Sequence, residues 1–343
     1  MFGLFSRPKA VSAQVNDTVI TVEPKETLLQ AALRQGIAFP HSCRVGGCAA
    51  CKCQLVHGRV RQLTDAGYIL SDDELDRGFI LACQSVPRTD VSIQVDLERG
   101  RACRQVPGKV IRHVQLTHDI SHLRIQLDES LSYRAGQYAQ LSLDSLPGVS
   151  RSYSFASQAQ ADATVNFFVR WVPEGAFTSR VQGRSLVGQG VVVEGPHGDF
   201  FLRPAPAPLL LMAGGSGLAP LLALLEEALD EGVRRPVVLL FGARTQADLY
   251  ALDVIDRLRG QWPEAFAFLP ILSAEPAGSA WGGLRGLVTD LIPTHAPPGC
   301  HAYLCGPPAM VDAAAAQLLK QGVDPTHVHA DRFTTQGDVA AAA

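Results

Sequence analysis

The chain lacks an excess of charge of either sign, with 30 Lys and Arg against 33 Asp and Glu for a formal net charge of -3 over 343 residues. It offers no broad basic surface, so nucleic acid is set aside as a partner. No period of about 20 to 50 residues recurs, and no low-complexity tract precedes the Ala-rich last residues, which excludes solenoids. The opening MFGLFSRPK places only a few apolar residues before Arg7 and Pro8, too few for a signal-peptide core. The run PAPAPLLLMAGGSGLAPLLALL, Pro204 to Leu225, is uncharged and long enough to suggest a membrane span. Three prolines open it, GGSG interrupts it and Pro220 follows, so it reads as a buried strand, a glycine loop and a helix. The expectation is a cytoplasmic, monomeric protein without membrane contact.

The length accommodates two or three domains, and the pattern changes twice. Residues 1–98 hold VITV, a helical ETLLQAALRQG ended by Gly36, a cysteine-rich loop, QLVHGRV and VSIQVDL, as in a small α+β domain. Residues 99–107, charged and carrying Gly and Pro, read as a linker. Over 108–205 short alternating runs (VIRHVQL, HLRIQL, YAQLSL, VNFFVRWV) are divided by turn signals, the pattern of an antiparallel barrel or sandwich. Over 206–334 strand and helix patterns alternate, implying a parallel sheet covered by helices. Residues 335–343 are expected to be a disordered tail.

Eight cysteines in a reducing compartment point to metal or redox chemistry before disulfides. Cys43, Cys48 and Cys51 are spaced C-x4-C-x2-C, and Cys83 in ILACQS supplies a distant fourth sulfur, the plant-type spacing for a 2Fe-2S cluster. Gly46, Gly47, Ala49 and Ala50 leave room for a loop that turns its N–H groups toward sulfur. Structural zinc also takes four cysteines, but zinc ribbons favour two matched C-x2-C pairs. Cys53 is either a surrogate ligand or a small buried residue.

CRVGGCAAC with the later LACQ resembles the ferredoxin module fused to flavin reductases of the ferredoxin reductase family. RSYS, Arg151 to Ser154, after YRAGQY resembles that family's FAD signature, which implies FAD binding by Arg151, Ser152, Tyr153 and Ser154. A cationic fork suits phosphate, a tyrosine ring packs on flavin, and a hydroxyl can hydrogen-bond its N5. VRWVPEGAFTSR is a second match, placing Val169, Arg170, Gly175 and Thr178 around the FAD pyrophosphate at a helix N-terminus. Relatives usually carry serine where this chain has Thr178, with Ser179 beside it, so either hydroxyl is a candidate cap. GPHGDF resembles the end of the flavin domain.

GGSGLAP is not the G-x-G-x-x-G fingerprint, yet its parts serve the same physics: a strand ends, glycines admit a pyrophosphate and a helix begins. The resemblance pairs it with CGPPAM, which makes Gly214, Gly215, Ser216, Gly217, Pro220, Cys305, Gly306 and Pro307 nucleotide residues and puts Cys305 beside the nicotinamide. A buried strand-end cysteine is the bland alternative. In FGARTQADLY, Arg244 could attract a 2'-phosphate while Asp248 opposes one, which favours NADH over NADPH. His327, His329 and Asp331 alternate and could bind a metal, though a structural role suits them better. Phe333 is the aromatic that the resemblance places near flavin. SDDELD reads as a helix start on a solvated face, with an acidic docking surface as the alternative.

In this order the matches are similar to the reductase component of multicomponent bacterial oxygenases such as benzoate, toluene or phenol systems. The resemblance implies a multidomain α+β and α/β chain: a β-grasp ferredoxin, an antiparallel β-barrel for FAD and a parallel-sheet nucleotide domain. Electrons would pass from NADH near Cys305 to FAD near Ser154, then to the cluster and out to an oxygenase or a separate ferredoxin. A reductase for deoxysugar dehydration shares this module order, and a redox sensor without turnover is an alternative of another class.

Overall fold

The computed structural model describes residues 10–41, 44, 46, 49–70, 72–97 and 103–333, and excludes the side chains of residues 68, 72 and 73. The chain forms two compact units that divide after Cys103. In the first, β1 (Val11–Val15) and β2 (Thr18–Val22) precede α1 (Leu28–Arg34), then β3 (Lys52–His57), β4 (Val60–Gln62), α2 (Asp72–Asp76), β5 (Phe79–Leu81), β6 (Ser85–Pro87) and β7 (Val91–Gln94). A five-stranded sheet runs β2-β1-β7-β3-β5, with β1 parallel to β7 and antiparallel to β2. Helix α1 starts in a capping box: the Thr27 hydroxyl accepts the Gln30 N–H at 3.2 Å, and Gln30 Oε1 accepts the Thr27 N–H at 2.9 Å. It buries Leu28, Leu29, Ala31 and Ala32 in the core. Helix α1 packed against a mixed sheet is the β-grasp arrangement expected.

The second unit begins with β8 (Arg104–Gln115), β9 (Ile120–Leu127), β10 (Tyr138–Leu143), β11 (Ser150–Ser154), β12 (Thr164–Arg170), α3 (Ala176–Gly183) and β13 (Gly190–His197). Its antiparallel sheet runs β11-β10-β13-β8-β9-β12, and a bridge between Phe155 and Phe167 brings the end strands together into a nearly closed barrel. Residues 104–107, expected in the linker, instead open β8 and pair with residues 192–195 of β13. Pro107 disguised this strand: it has no N–H to give a ladder, but its carbonyl still accepts the Asp128 N–H at 2.9 Å. The rest of the expected linker, apart from Cys103, lies outside the described residues, as does the expected tail.

The same unit continues through β14 (Leu209–Gly214), α4 (Leu218–Asp230), β15 (Val237–Ala243), α5 (Leu252–Gln261), β16 (Phe266–Leu272), β17 (Leu284–Arg285), α6 (Ile292–His295), β18 (His301–Gly306), α7 (Pro308–Lys320) and β19 (Val328–Arg332). All neighbours are parallel, in the order β17-β16-β15-β14-β18-β19. Every residue of β14 is buried, as the apolar LLLMA run requires of a central strand covered on both faces. The order reverses at β14: the chain moves outward through β15 to β17, then returns to β18 on the other side. Such a switch point opens a crevice beyond the carboxyl ends of the strands. Barrel residues Ile120 and Ala135 share one apolar core with β14, α4 and β18. Among the described residues no helix is long and apolar enough to cross a membrane.

Candidate active site

In the first unit Cys51 ends the loop that leads into β3, and Cys83 lies in the turn after β5; both are buried. The backbone N–H of Cys83 donates to Cys51 Sγ at 3.4 Å, and Gln84 Nε2 approaches Cys83 Sγ at 3.6 Å. Two cysteines 32 residues apart are thus brought together with an N–H donor on each sulfur, the environment a cluster-bound thiolate needs. Gly46 has φ +84°, and a Cβ there would stand 2.8 Å from Gln84 Cγ, so a side chain would push on the residue that bonds Cys83. Cys43 and Cys48 lie outside the described residues. Cys53 is in β3 opposite Ile80, buried in the apolar core.

Strand β11 carries the RSYS motif beside β10. Tyr153 packs on Phe177 with ring centroids 5.4 Å apart, and burial pushes its hydroxyl pKa up. Arg151 folds back on its own strand through a 2.7 Å bond to the Ser150 carbonyl, Ser152 is exposed and Ser154 is buried. The Val169 side chain enters the barrel core, so only its backbone can face a cofactor. Gly175 is the N-cap of helix α3, and no side chain caps the helix start. Neither hydroxyl proposed as its cap serves: Thr178 turns back, accepting the Val172 N–H at 3.1 Å and lying 3.1 Å from the Val172 carbonyl. The reason is that Thr178 falls inside the first turn, past the position from which a side chain reaches the helix end. First-turn N–H groups without a side-chain cap suit a pyrophosphate.

The glycine loop forms a short turn, Gly215–Gly217, between β14 and α4, and Pro220 is buried in the first turn of the helix. A Cβ on Gly217 would fall 2.2 Å from the Cys305 carbonyl oxygen, so this loop and the end of β18 touch only because the residue has no side chain. A cavity of about 470 Å³ opens beyond them, lined by Gly214, Gly215, Arg244, Asp248 and Pro307, with Arg170 and His118 from the barrel. Asp248 Oδ2 accepts both the N–H and the hydroxyl of Thr245 at 2.8 Å. Arg170 pairs with Asp119 at 2.9 Å, and neither His118 nor Asp119 had a signal in the sequence.

The two motifs converge on Asp331, in the HVHADRF segment. The Ser154 hydroxyl donates to Asp331 Oδ2 at 3.4 Å across 177 positions, and Cys305 Sγ lies 3.9 Å from the same oxygen. Cys305 is fully buried; burial, and then the Asp331 carboxylate, push its thiol well above the ordinary range, so it stays protonated at neutral pH. Asp331 is aligned with Cys305 in the β18–β19 register, and Phe333 continues from that strand by donating its N–H to the Gly306 carbonyl at 2.9 Å.

His329 and His327 take no part in this cluster. His327 ends a short turn before β19, its ring stacked 4.0 Å from that of His301, while His329 packs 4.7 Å from the Tyr303 ring. Burial first, then the Arg203 and His301 charges, hold His329 at about 4; Asp199 opposes them and His327 adds to them. A histidine depressed in the folded state stays neutral while the unfolded chain takes a proton, so stability falls as pH drops from about 6.5 to about 4. His329→Phe should remove roughly 2 kcal/mol of the loss between neutral pH and about pH 5. Melts of both proteins at the two pH values check this, and equal losses would refute it.

A barrel with an uncapped helix start, beside a parallel sheet whose switch point carries a glycine turn, and a β-grasp unit in which the Cys83 N–H bonds the Cys51 sulfur together define an iron-sulfur flavoprotein oxidoreductase. The chain matches the 2Fe-2S iron-sulfur cluster binding domain over residues 13–88, the oxidoreductase FAD-binding domain over 107–202 and the oxidoreductase NAD-binding domain over 211–316. It is 38% identical over 336 residues to the xylene/toluene monooxygenase electron transfer component of Pseudomonas putida, covering 96% of each chain. It is 35% identical over 339 residues to the phenol 2-monooxygenase reductase component of Pseudomonas sp. (strain CF600), again covering 96% of each. The crystal structure of an Amycolatopsis cytochrome P450 reductase superposes with a TM-score of 0.74 at 33% identity, covering 95% of this chain and 99% of that one. The chain belongs to the family of reductase components of oxygenase systems that join 2Fe-2S, FAD and NAD domains in one polypeptide.

Proposed function

We propose that the chain draws electrons from NADH at the Ser154–Asp331–Cys305 cluster and delivers them one at a time to an oxygenase component or a separate ferredoxin. The observation that carries this reading is the shared Asp331 oxygen, which joins a hydroxyl of the flavin barrel to a thiol of the nucleotide lobe. FAD exchanges electron pairs for single electrons, and a 2Fe-2S cluster carries them singly. Cys43, Cys48, Cys51 and Cys83 are the ligands assigned to the cluster. Arg151, Ser152, Tyr153, the Val169–Arg170 backbone, Gly175 and the α3 start are assigned to FAD, with Phe333 closing its edge. Gly214, Gly215, Ser216, Gly217, Pro220, Gly306 and Pro307 are assigned to the nicotinamide nucleotide.

Ser154 is the positioning hydroxyl of this reaction centre: it donates its proton to Asp331 Oδ2, and its oxygen lone pairs would accept a cofactor N–H. Cys305 presents a neutral, polarisable wall from which water is excluded. Asp248 is the acceptor for the adenosine ribose hydroxyls, and its charge disfavours a 2'-phosphate, which supports NADH as the donor. Resemblance to monooxygenase and phenol hydroxylase reductases favours an oxygenase over a deoxysugar enzyme as the client. Stopped-flow mixing with NADH tests the relay: the flavin band should bleach first and the cluster band after it. An unchanged cluster band would refute it.

A further inference from the structure

His118 stands in the turn between β8 and β9, at the wall of the nucleotide cavity, with Nδ1 3.1 Å from Asp248 Oδ1. A carboxylate only accepts, so Nδ1 carries the proton in this contact. Asp248 Oδ2 is already taken by the N–H and hydroxyl of Thr245. A ribose diol that approaches Asp248 therefore needs Oδ1, the oxygen that His118 holds. The backbone of the turn is pinned: Gln182 Nε2 donates to the His118 carbonyl at 2.9 Å, the Thr117 hydroxyl donates to Asp119 Oδ1 at 2.9 Å, and Arg170 holds the other Asp119 oxygen. The imidazole itself is not, since the side chain is 66% exposed. It can swing into solvent while the turn stays in place.

The charged groups around this contact are Asp119, paired with Arg170, together with Arg244 on the cavity wall and Glu275, whose carboxylate accepts the Gln246 N–H at 2.7 Å. We propose that His118 is a displaceable clasp that competes with the nucleotide ribose for Asp248, weakening nucleotide binding and favouring release of the oxidised nucleotide after each turnover. The proposal rests on the reading of Asp248 as the ribose acceptor. An exposed pair of this type shifts an equilibrium only by about 1.5- to fivefold. That is weak enough to be displaced and strong enough to be measured.

Calorimetric titration of the holoenzyme with NAD+ tests the clasp. His118→Ala should lower the Kd by about two- to fivefold. His118→Asn, whose amide nitrogen takes the place of Nδ1, should return it to the wild-type value. AMP, which carries the ribose without the nicotinamide, should show the same gain. An Ala variant that binds NAD+ no more tightly than wild type, or a gain confined to NAD+ and absent for AMP, overturns the clasp. Asp248→Asn separates the two readings: it should weaken binding and abolish the gain from His118→Ala, whereas an unchanged Kd would overturn the ribose assignment itself.

Discussion

Cys83→Ser is expected to remove the visible spectrum of the 2Fe-2S cluster and to bring NADH-dependent reduction of cytochrome c down to background, while reduction of ferricyanide by the flavin persists. The expectation follows from the place of Cys83. It lies 32 positions after Cys51 in the chain, and its backbone N–H and the Gln84 amide bond the sulfurs of Cys51 and Cys83. A serine oxygen in its place is a harder ligand, and it loses the sulfur that both donors were positioned to serve. The flavin and nucleotide residues belong to the separate unit that begins at Arg104, so their chemistry should survive. Cys53→Ser is the matched control. Cys53 sits in β3 against Ile80 in the apolar core, so its replacement should cost stability and leave the cluster spectrum in place. Loss of the spectrum in Cys53→Ser would make Cys53 a ligand; its retention in Cys83→Ser would remove Cys83 from the set.

Ser154→Ala should slow bleaching of the flavin by NADH by a factor on the order of 10², the lower end of what one positioned hydrogen-bonding group contributes. FAD should remain bound, because the cradle at the start of α3 and the Tyr153–Phe177 packing do not involve this hydroxyl. The substitution also strips Asp331 Oδ2 of its hydroxyl donor and leaves it facing the protonated Cys305 thiol. Asp331→Asn keeps the volume and removes the charge; it should slow the same step less, because Ser154 keeps its place while its proton loses a fixed acceptor. Rapid-mixing absorbance at the flavin band, with FAD content measured in parallel, decides between these outcomes. An unchanged rate in Ser154→Ala would take the hydroxyl out of the reaction.

Elements whose signals are local were legible in the sequence. The helical run ended by Gly36 that becomes α1, the apolar run of β14, the glycine turn before α4 and the cysteine spacing each depend on residues close together in the chain, where backbone sterics and burial leave few solutions. Two local readings failed for equally local reasons. The proline in β8 imitated a linker, and Thr178 imitated a helix cap although it sits a turn too late. His118 and Asp119 carried no signal because turn residues of this kind are common, and their importance comes from what they face across the cavity.

The sequence by itself determined the three patterned segments, their order and the 2Fe-2S ligand spacing, because strand and helix periods and ligand spacings are properties of contiguous residues. FAD and the nicotinamide nucleotide were implied instead by the family resemblance of the RSYS, GGSGLAP and CGPPAM motifs. Only the tertiary structure decided that Asp331, read from its neighbours as one end of a histidine-rich strand, belongs with Ser154 and Cys305. Parallel pairing of β18 with β19 sets it beside Cys305, and closure of the barrel against the nucleotide lobe brings up Ser154 from 177 positions away. No period or spacing encodes a contact of that kind, since it exists only once two separately patterned layers share one core.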